Sequence, residues 1–123
     1  MAKDAKKKRN VQIMAETKRL TEIYANIEDR RKKTIVGLIE RAAFQRISLD
    51  ELEAFLNENG VTEMFSQGNQ EPYSRERPEA KIYNNLNSSY QKIIKQLTDL
   101  LPKEEARPVT STLDVELEEF DNF

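Results

Sequence analysis

The sequence predicts an all-α protein: a small domain of about four helices, with a basic amino-terminal arm and an acidic carboxyl-terminal tail. Apolar residues recur at steps of three and four along most of the 123 residues and almost nowhere alternate at a step of two. Hydrophobic residues are 37% of the chain and charged residues 34%, so the core is small. The chain shows no secretory leader and no run near the roughly 18 apolar residues of a membrane span, so we expect a soluble, cytoplasmic protein without a membrane partner.

The net charge of −2 conceals a gradient along the chain. Residues 1–46 carry 13 Lys and Arg against 6 Asp and Glu, residues 47–102 carry 5 against 9, and residues 103–123 carry 2 against 7. The basic front predicts a polyanionic partner. The acidic end predicts either a different partner or masking by the chain itself.

The first segment, residues 1–34, is predicted to hold the basic arm and one amphipathic helix from Asn10 to Ile27. Ile13, Leu20 and Ile27 fall on one helical stripe. The preceding residues are too charged to pack, and we expect a break in the helix near Asp29.

Residues 35–60 are predicted to form a pair of short helices. The first buries a face that includes Ile35 and ends at Arg46. Ser48 and Glu51 have the spacing of a capping box, which predicts that a new helix begins there. Gly60 is a suitable left-handed stop after it.

Residues 61–77 are predicted as a long loop, because they contain Gly68 and Pro72 and show no helical period. Residues 78–102 are predicted as a long helix, with Pro78 in its first turn and Pro102 at its end. A heptad-like apolar seam along this helix is either an internal core stripe or a self-association surface. The residues assigned to self-association are Ile82, Tyr83, Leu86, Tyr90, Ile93, Ile94, Leu97 and Leu100.

Residues 103–123 form an acidic tail in which apolar and acidic residues are interspersed. Tails of this kind are often disordered alone and ordered by a partner. The residues assigned to partner binding are Leu113, Val115, Leu117, Phe120 and Phe123.

The residue inventory excludes most enzyme chemistry. The chain has no His and no Cys, which removes the usual zinc sites, thiolate nucleophiles and Ser-His or Cys-His dyads. The three glycines are isolated and match no phosphate-binding loop. We therefore predict a protein that is not an enzyme, with no catalytic residue, no metal and no cofactor.

The basic residues are the candidates for binding DNA, the alternative being a solvated helical face. The two short helices are joined closely enough for a helix-turn-helix, but the second carries Asp50, Glu51, Glu53 and Glu58, and recognition helices are rarely so acidic. We therefore expect the arm and the first two helices to contact DNA. The assigned residues are Lys6, Lys7, Lys8, Arg9, Lys18, Arg19, Arg30, Arg31, Lys32 and Lys33.

Four segments resemble the small terminase subunits of tailed bacteriophages: Gly37–Phe44, Leu49–Gly60, Gly68–Gln70 and Ile94–Glu105. The resemblance covers roughly residues 34–106. It implies recognition of double-stranded viral DNA at the start of genome packaging in the host cytoplasm, by a ring of identical chains. It also implies delivery of the DNA to a large subunit with ATPase and nuclease activity, and by analogy the acidic tail is suited to dock that subunit.

Two other functions remain open from the residues themselves. One is a non-catalytic helical interaction protein whose basic end is merely solvated. The other is a transcriptional regulator of the helix-turn-helix type.

Overall fold

The structure, a computed structural model, describes residues 2–102 and confirms the mainly helical prediction. Its elements are α1 (Ala2–Ile23), α2 (Asp29–Asn59), β1 (Thr62–Phe65), β2 (Tyr73–Glu76) and α3 (Pro78–Asp99). The described residues thus contain three helices where the sequence predicts about four. The tail, residues 103–123, lies outside the described residues. No helix in the described part of the chain has the length and hydrophobicity to cross a membrane.

The predicted basic arm is part of a helix, because α1 begins at Ala2 and not at Asn10. Ala, Lys and Arg are good helix formers, and the first turns contain no Gly, Pro or β-branched residue. Asp4 lies in the first turn, where a negative charge favours the helix dipole. The helix ends at Ile23, four residues earlier than predicted.

The predicted pair of short helices is wrong, because α2 runs without interruption through 31 residues. It begins at Asp29, so the predicted break there is confirmed. Ser48 and Glu51 stand three residues apart on this continuous helix and cap nothing. No Gly or Pro lies near Ser48, and continuing the helix buries Ile47 and Leu49, which contributes more than one cap. The described residues therefore contain no helix-turn-helix at this position.

The predicted loop contains a β-hairpin that the periodicity did not indicate. Strands β1 and β2 pair antiparallel, with Glu63 opposite Arg75 and Phe65 opposite Tyr73. Arg75 holds the pair together, since it bonds Glu63 at 2.8 Å and its guanidinium lies 3.4 Å from the centre of the Phe65 ring. Arg77 ties the hairpin to the end of α2 by donating to the Asn59 carbonyl at 3.2 Å.

Both α1 and α3 pack antiparallel on α2. Arg9, near the start of α1, contacts Glu51 in the last third of α2. Likewise Tyr83, near the start of α3, donates its hydroxyl to Glu53 at 2.8 Å, whereas Thr98 near the end of α3 meets Tyr24 at 3.2 Å. The core lies at the end of the bundle where α1 turns into α2. Its buried residues are Leu20, Tyr24, Ile27, Ile35, Ile39, Ala42, Ala43, Ile93, Leu97 and Leu101.

Candidate nucleic-acid interface

The antiparallel packing of α1 and α2 places the two predicted basic runs at opposite ends of the helix pair. The run Lys6–Arg9 lies at the start of α1, beside the carboxyl-terminal half of α2. The run Arg30–Lys33 occupies the first turns of α2, beside the end of α1. From Arg9 to Ile23, α1 rises about 20 Å. The structure therefore does not bring the ten assigned residues into one site.

Four of the ten basic side chains are already neutralised by acidic neighbours. Arg30 pairs with Glu28 at 3.0 Å and Lys32 with Asp29 at 3.1 Å. The Arg9 guanidinium lies 3.6 Å from the carboxylate of Glu51 on α2. These pairs are solvent-exposed and contribute little to stability, but they lower the positive charge that each end offers to a polyanion.

The fourth pair is the most buried. Arg19 holds both carboxylate oxygens of Glu16, with one N–O distance of 2.9 Å, and Glu16 is only 9% exposed. The hydrogen bond to Glu16 is the main cause of the raised pKa of Arg19. Arg19 therefore serves chiefly to compensate a buried carboxylate.

The remaining six basic side chains make no ion pair with any residue in the range 2–102, and they divide equally between the two ends. We call Lys6, Lys7 and Lys8 the amino-terminal patch, and Lys18, Arg31 and Lys33 the turn patch. All six are exposed. Side chains of this kind release condensed counterions when they meet phosphates, which is the main source of affinity for nucleic acid.

A cluster of charged side chains beside the patches was missed by the sequence reasoning. The Arg46 guanidinium lies 3.5 Å from the Asp50 carboxylate. Interaction with the Tyr90 hydroxyl of α3 is the first cause of the raised pKa of Arg46. Together with the pair of Glu16 and Arg19, this cluster borders a shallow pocket between α1 and α2. The i, i+3 and i, i+4 spacings of its charges were the available signal. Each of its carboxylates faces a guanidinium group of its own helix, so these pairs stabilise α1 and α2 locally.

The seam on α3 is divided by the structure. Ile93 and Leu97 are buried in the core of the single chain, and Tyr90, Ile94 and Leu100 pack against that core. The core interpretation therefore holds for this half of the seam. Its other half, at the start of α3, is less covered: Tyr83 and Leu86 are half-buried, and Ile82 is 54% exposed.

Further exposed apolar side chains lie at the hairpin end of the molecule. Val61, Met64 and Tyr73 are 57%, 68% and 47% exposed. Self-association through α3 stays a prediction, and the five tail residues assigned to partner binding lie outside the described residues.

Within residues 2–102, no group of three or more Asp or Glu side chains is arranged to hold a metal ion. No protein-family model matches the sequence, and searches of curated proteins and of solved structures find no similar protein.

Proposed function

We propose that this chain is the small subunit of a bacteriophage terminase, which recognises double-stranded viral DNA in the host cytoplasm and recruits and regulates a large ATPase and nuclease subunit. In this role it is a non-catalytic adaptor that works as a ring of identical chains. The proposal combines the resemblance of residues 34–106 to that family with the distribution of charge on the helices.

The observation that carries the DNA-binding part is the presence of two patches of unpaired basic residues at the two ends of the α1–α2 pair. A duplex lying along this pair would pass both patches, since about 20 Å corresponds to roughly six base pairs at 3.4 Å each. Up to six phosphates would be neutralised. Contacts of this kind position a duplex without reading its sequence.

The test is a salt titration of binding to a fluorescent duplex that carries the packaging-initiation region. We expect log K against log[salt] to have a slope near −5, from six contacts at about 0.9 each. The triple variant Lys18→Ala/Arg31→Ala/Lys33→Ala removes the turn patch and should reduce this slope by about 3 units.

A matched control removes the same charge elsewhere. Lys81, Lys92 and Lys95 are exposed residues of α3, and their replacement by Ala should leave the slope within about one unit of the unmodified protein. If both triple variants reduce the slope of log K against log[salt] by the same amount, binding depends on net charge and not on the patches. If the unmodified protein retains no duplex at low salt, the interaction-protein alternative is favoured.

The helix-turn-helix regulator is not favoured, because α2 is continuous where the turn would lie. The oligomeric part of the proposal is tested by light scattering of the intact protein. A closed oligomer well above a dimer is expected, and among the seam residues of α3 Ile82 is exposed enough to contribute to a contact between subunits. A dimer that protects two half-sites on DNA would instead support a regulator.

The proposed docking of the large subunit is tested by deleting residues 112–123. The truncated protein should still bind DNA but should no longer stimulate the ATPase of the large subunit. Unchanged stimulation would refute the assignment of the tail to this partner.

A further inference from the structure

An apolar groove lies between α1 and α2, near the turn that connects them. Its volume is about 320 Å³, and its walls include Thr21, Tyr24, Val36 and Ile39. The Thr21 hydroxyl donates to the Thr17 carbonyl at 2.7 Å, so this wall has little unsatisfied polarity. Val36, although apolar, is 51% exposed there.

Charged side chains stand around the mouth of the groove. Two of its lining residues, Lys32 and Glu40, carry opposite charges. The turn patch adjoins the lining along the chain, since Arg31 and Lys33 flank Lys32 on α2 and Lys18 follows the lining residue Thr17 on α1. These three make no ion pair with any described residue, whereas Lys32 shares its charge with Asp29. A ligand with closely spaced apolar and acidic groups would bury the first in the groove and place the second at the rim.

The chain contains a segment of this composition. Residues 113–123 read LDVELEEFDNF, with five apolar residues, five acidic residues and no basic one. The five carboxylates are opposite in sign to the three unpaired cations of the turn patch, which outnumber the single carboxylate of Glu40 in the lining. Within residues 1–112, no eleven-residue stretch carries five acidic residues without a basic one.

The described chain ends close to the groove. The Tyr24 side chain lines the groove, and its hydroxyl lies 3.2 Å from the Thr98 hydroxyl of α3. Leu101 is buried in the same apolar cluster as Tyr24 and Ile27. A flexible linker of eleven residues, the number between Leu101 and Leu113, has a root-mean-square span of roughly 17–20 Å, which is enough to reach the groove. Tethering at this range gives an effective concentration of the order of millimolar.

We propose that residues 113–123 of the chain dock in the groove between α1 and α2, with their carboxylates on the turn patch. The docked segment covers three of the six free cations. Where the protein also binds DNA, as proposed above, the segment competes with phosphates for the turn patch. The docking itself does not depend on that function.

The test relies on the absence of cysteine from the chain. Two introduced cysteines, one in the groove and one in residues 113–123, can therefore report the docking by forming a disulfide. Full-length protein carrying Val36→Cys and Asn122→Cys is oxidised mildly without DNA, and the rate of intramolecular disulfide formation is measured on non-reducing gels and by mass spectrometry. The first control replaces Val36→Cys by Met64→Cys, a similarly exposed site on the hairpin. We call Val36→Cys with Asn122→Cys the groove pair and Met64→Cys with Asn122→Cys the hairpin pair. The intramolecular disulfide should form, or close, roughly ten times faster in the groove pair.

A second control separates docking from mere proximity of the tether. In the groove pair, the five acidic residues of 113–123 are replaced by their amides, which keeps the length and apolar content. Disulfide formation should slow by about tenfold. Addition of 0.5 M salt should also slow it in the groove pair that keeps its carboxylates. Equal rates with carboxylates and amides would overturn the proposal. Faster linking between chains than within a chain would also overturn it, by identifying the occupant as the segment of a second copy.

Added duplex DNA then tests the connection to the proposed function. DNA should slow closure of the groove pair and leave the hairpin pair unchanged. If closure is fast but the protein retains no DNA, the docking stands and the proposed function fails. If DNA binds in a salt-dependent way but the groove pair closes no faster than the hairpin pair, the docking fails and the proposed function stands.

Discussion

Replacement of Leu97 by Ala tests whether the seam on α3 is core or contact surface. Leu97 is completely buried within the single chain, so truncation removes its burial and leaves a cavity, which costs about 2–5 kcal/mol. We expect a loss of about 3 kcal/mol. With a urea m-value of about 1.5 kcal/mol/M, the midpoint of unfolding falls by about 2 M.

The assay is urea unfolding followed by far-ultraviolet circular dichroism, at two protein concentrations, because a subunit interface would make the midpoint depend on concentration. The matched control is Ile82→Ala on the same helix, where the side chain is 54% exposed. Its cost to the free energy of unfolding should stay within about 0.5 kcal/mol. If Leu97→Ala leaves the midpoint unchanged but lowers the solution mass, Leu97 lies between subunits and the core assignment is refuted.

Three further predictions concern single side chains. Gly37→Ala should raise the free energy of unfolding by about 0.5–1 kcal/mol, because its site inside α2 has open space. Gly60→Ala should lower it by about 1–3 kcal/mol, because φ is +83° and ψ is 167° there. A lower urea midpoint for Gly37→Ala, or a higher one for Gly60→Ala, would refute the corresponding assignment. Arg19→Ala should lower the free energy of unfolding by about 1–3 kcal/mol, because it leaves the buried carboxylate of Glu16 without its bidentate partner. A midpoint of thermal unfolding within one degree of that of the unmodified protein would contradict this. The hydrogen bond to Glu53 raises the pKa of Tyr83 above its usual value near 10. Its stabilising effect is therefore complete below about pH 10 and is lost as the pH rises through the folded-state pKa. The difference in urea midpoint between the unmodified protein and Tyr83→Phe should shrink as the pH is raised above about 10, and a constant difference would refute the bond.

The sequence predicted the elements whose local signals agreed with their packing. Pro78 marked the start of α3, and the three- and four-residue spacing from Leu86 to Leu97 gave both its helical state and its apolar face. The break near Asp29 was also correct. In each case the local signal and the tertiary contacts favour the same structure.

The errors arose where a local signal was weaker than packing. The capping pattern at Ser48 could not indicate that α1 and α3 would cover one long α2 on two sides. The hairpin was missed because its two strands do not alternate apolar and polar residues. Their pairing depends instead on contacts of Arg75 with Glu63 and Phe65 across the strands. The sequence indicated which basic residues are candidates but not how they are arranged in space. Only the antiparallel packing shows that Lys7 and Lys33 lie at opposite ends of the α1–α2 pair.

The continuity of α2 has a mechanical consequence for anything bound at its ends. Its 31 residues contain no proline and span about 46 Å, and kinks in helices usually require proline, a bulge or an inserted group. The helix therefore acts as a rigid spacer between the turn patch and the hairpin. Two molecules bound at its opposite ends would be held about 46 Å apart, and a displacement of the hairpin would be carried along α2 toward the turn patch.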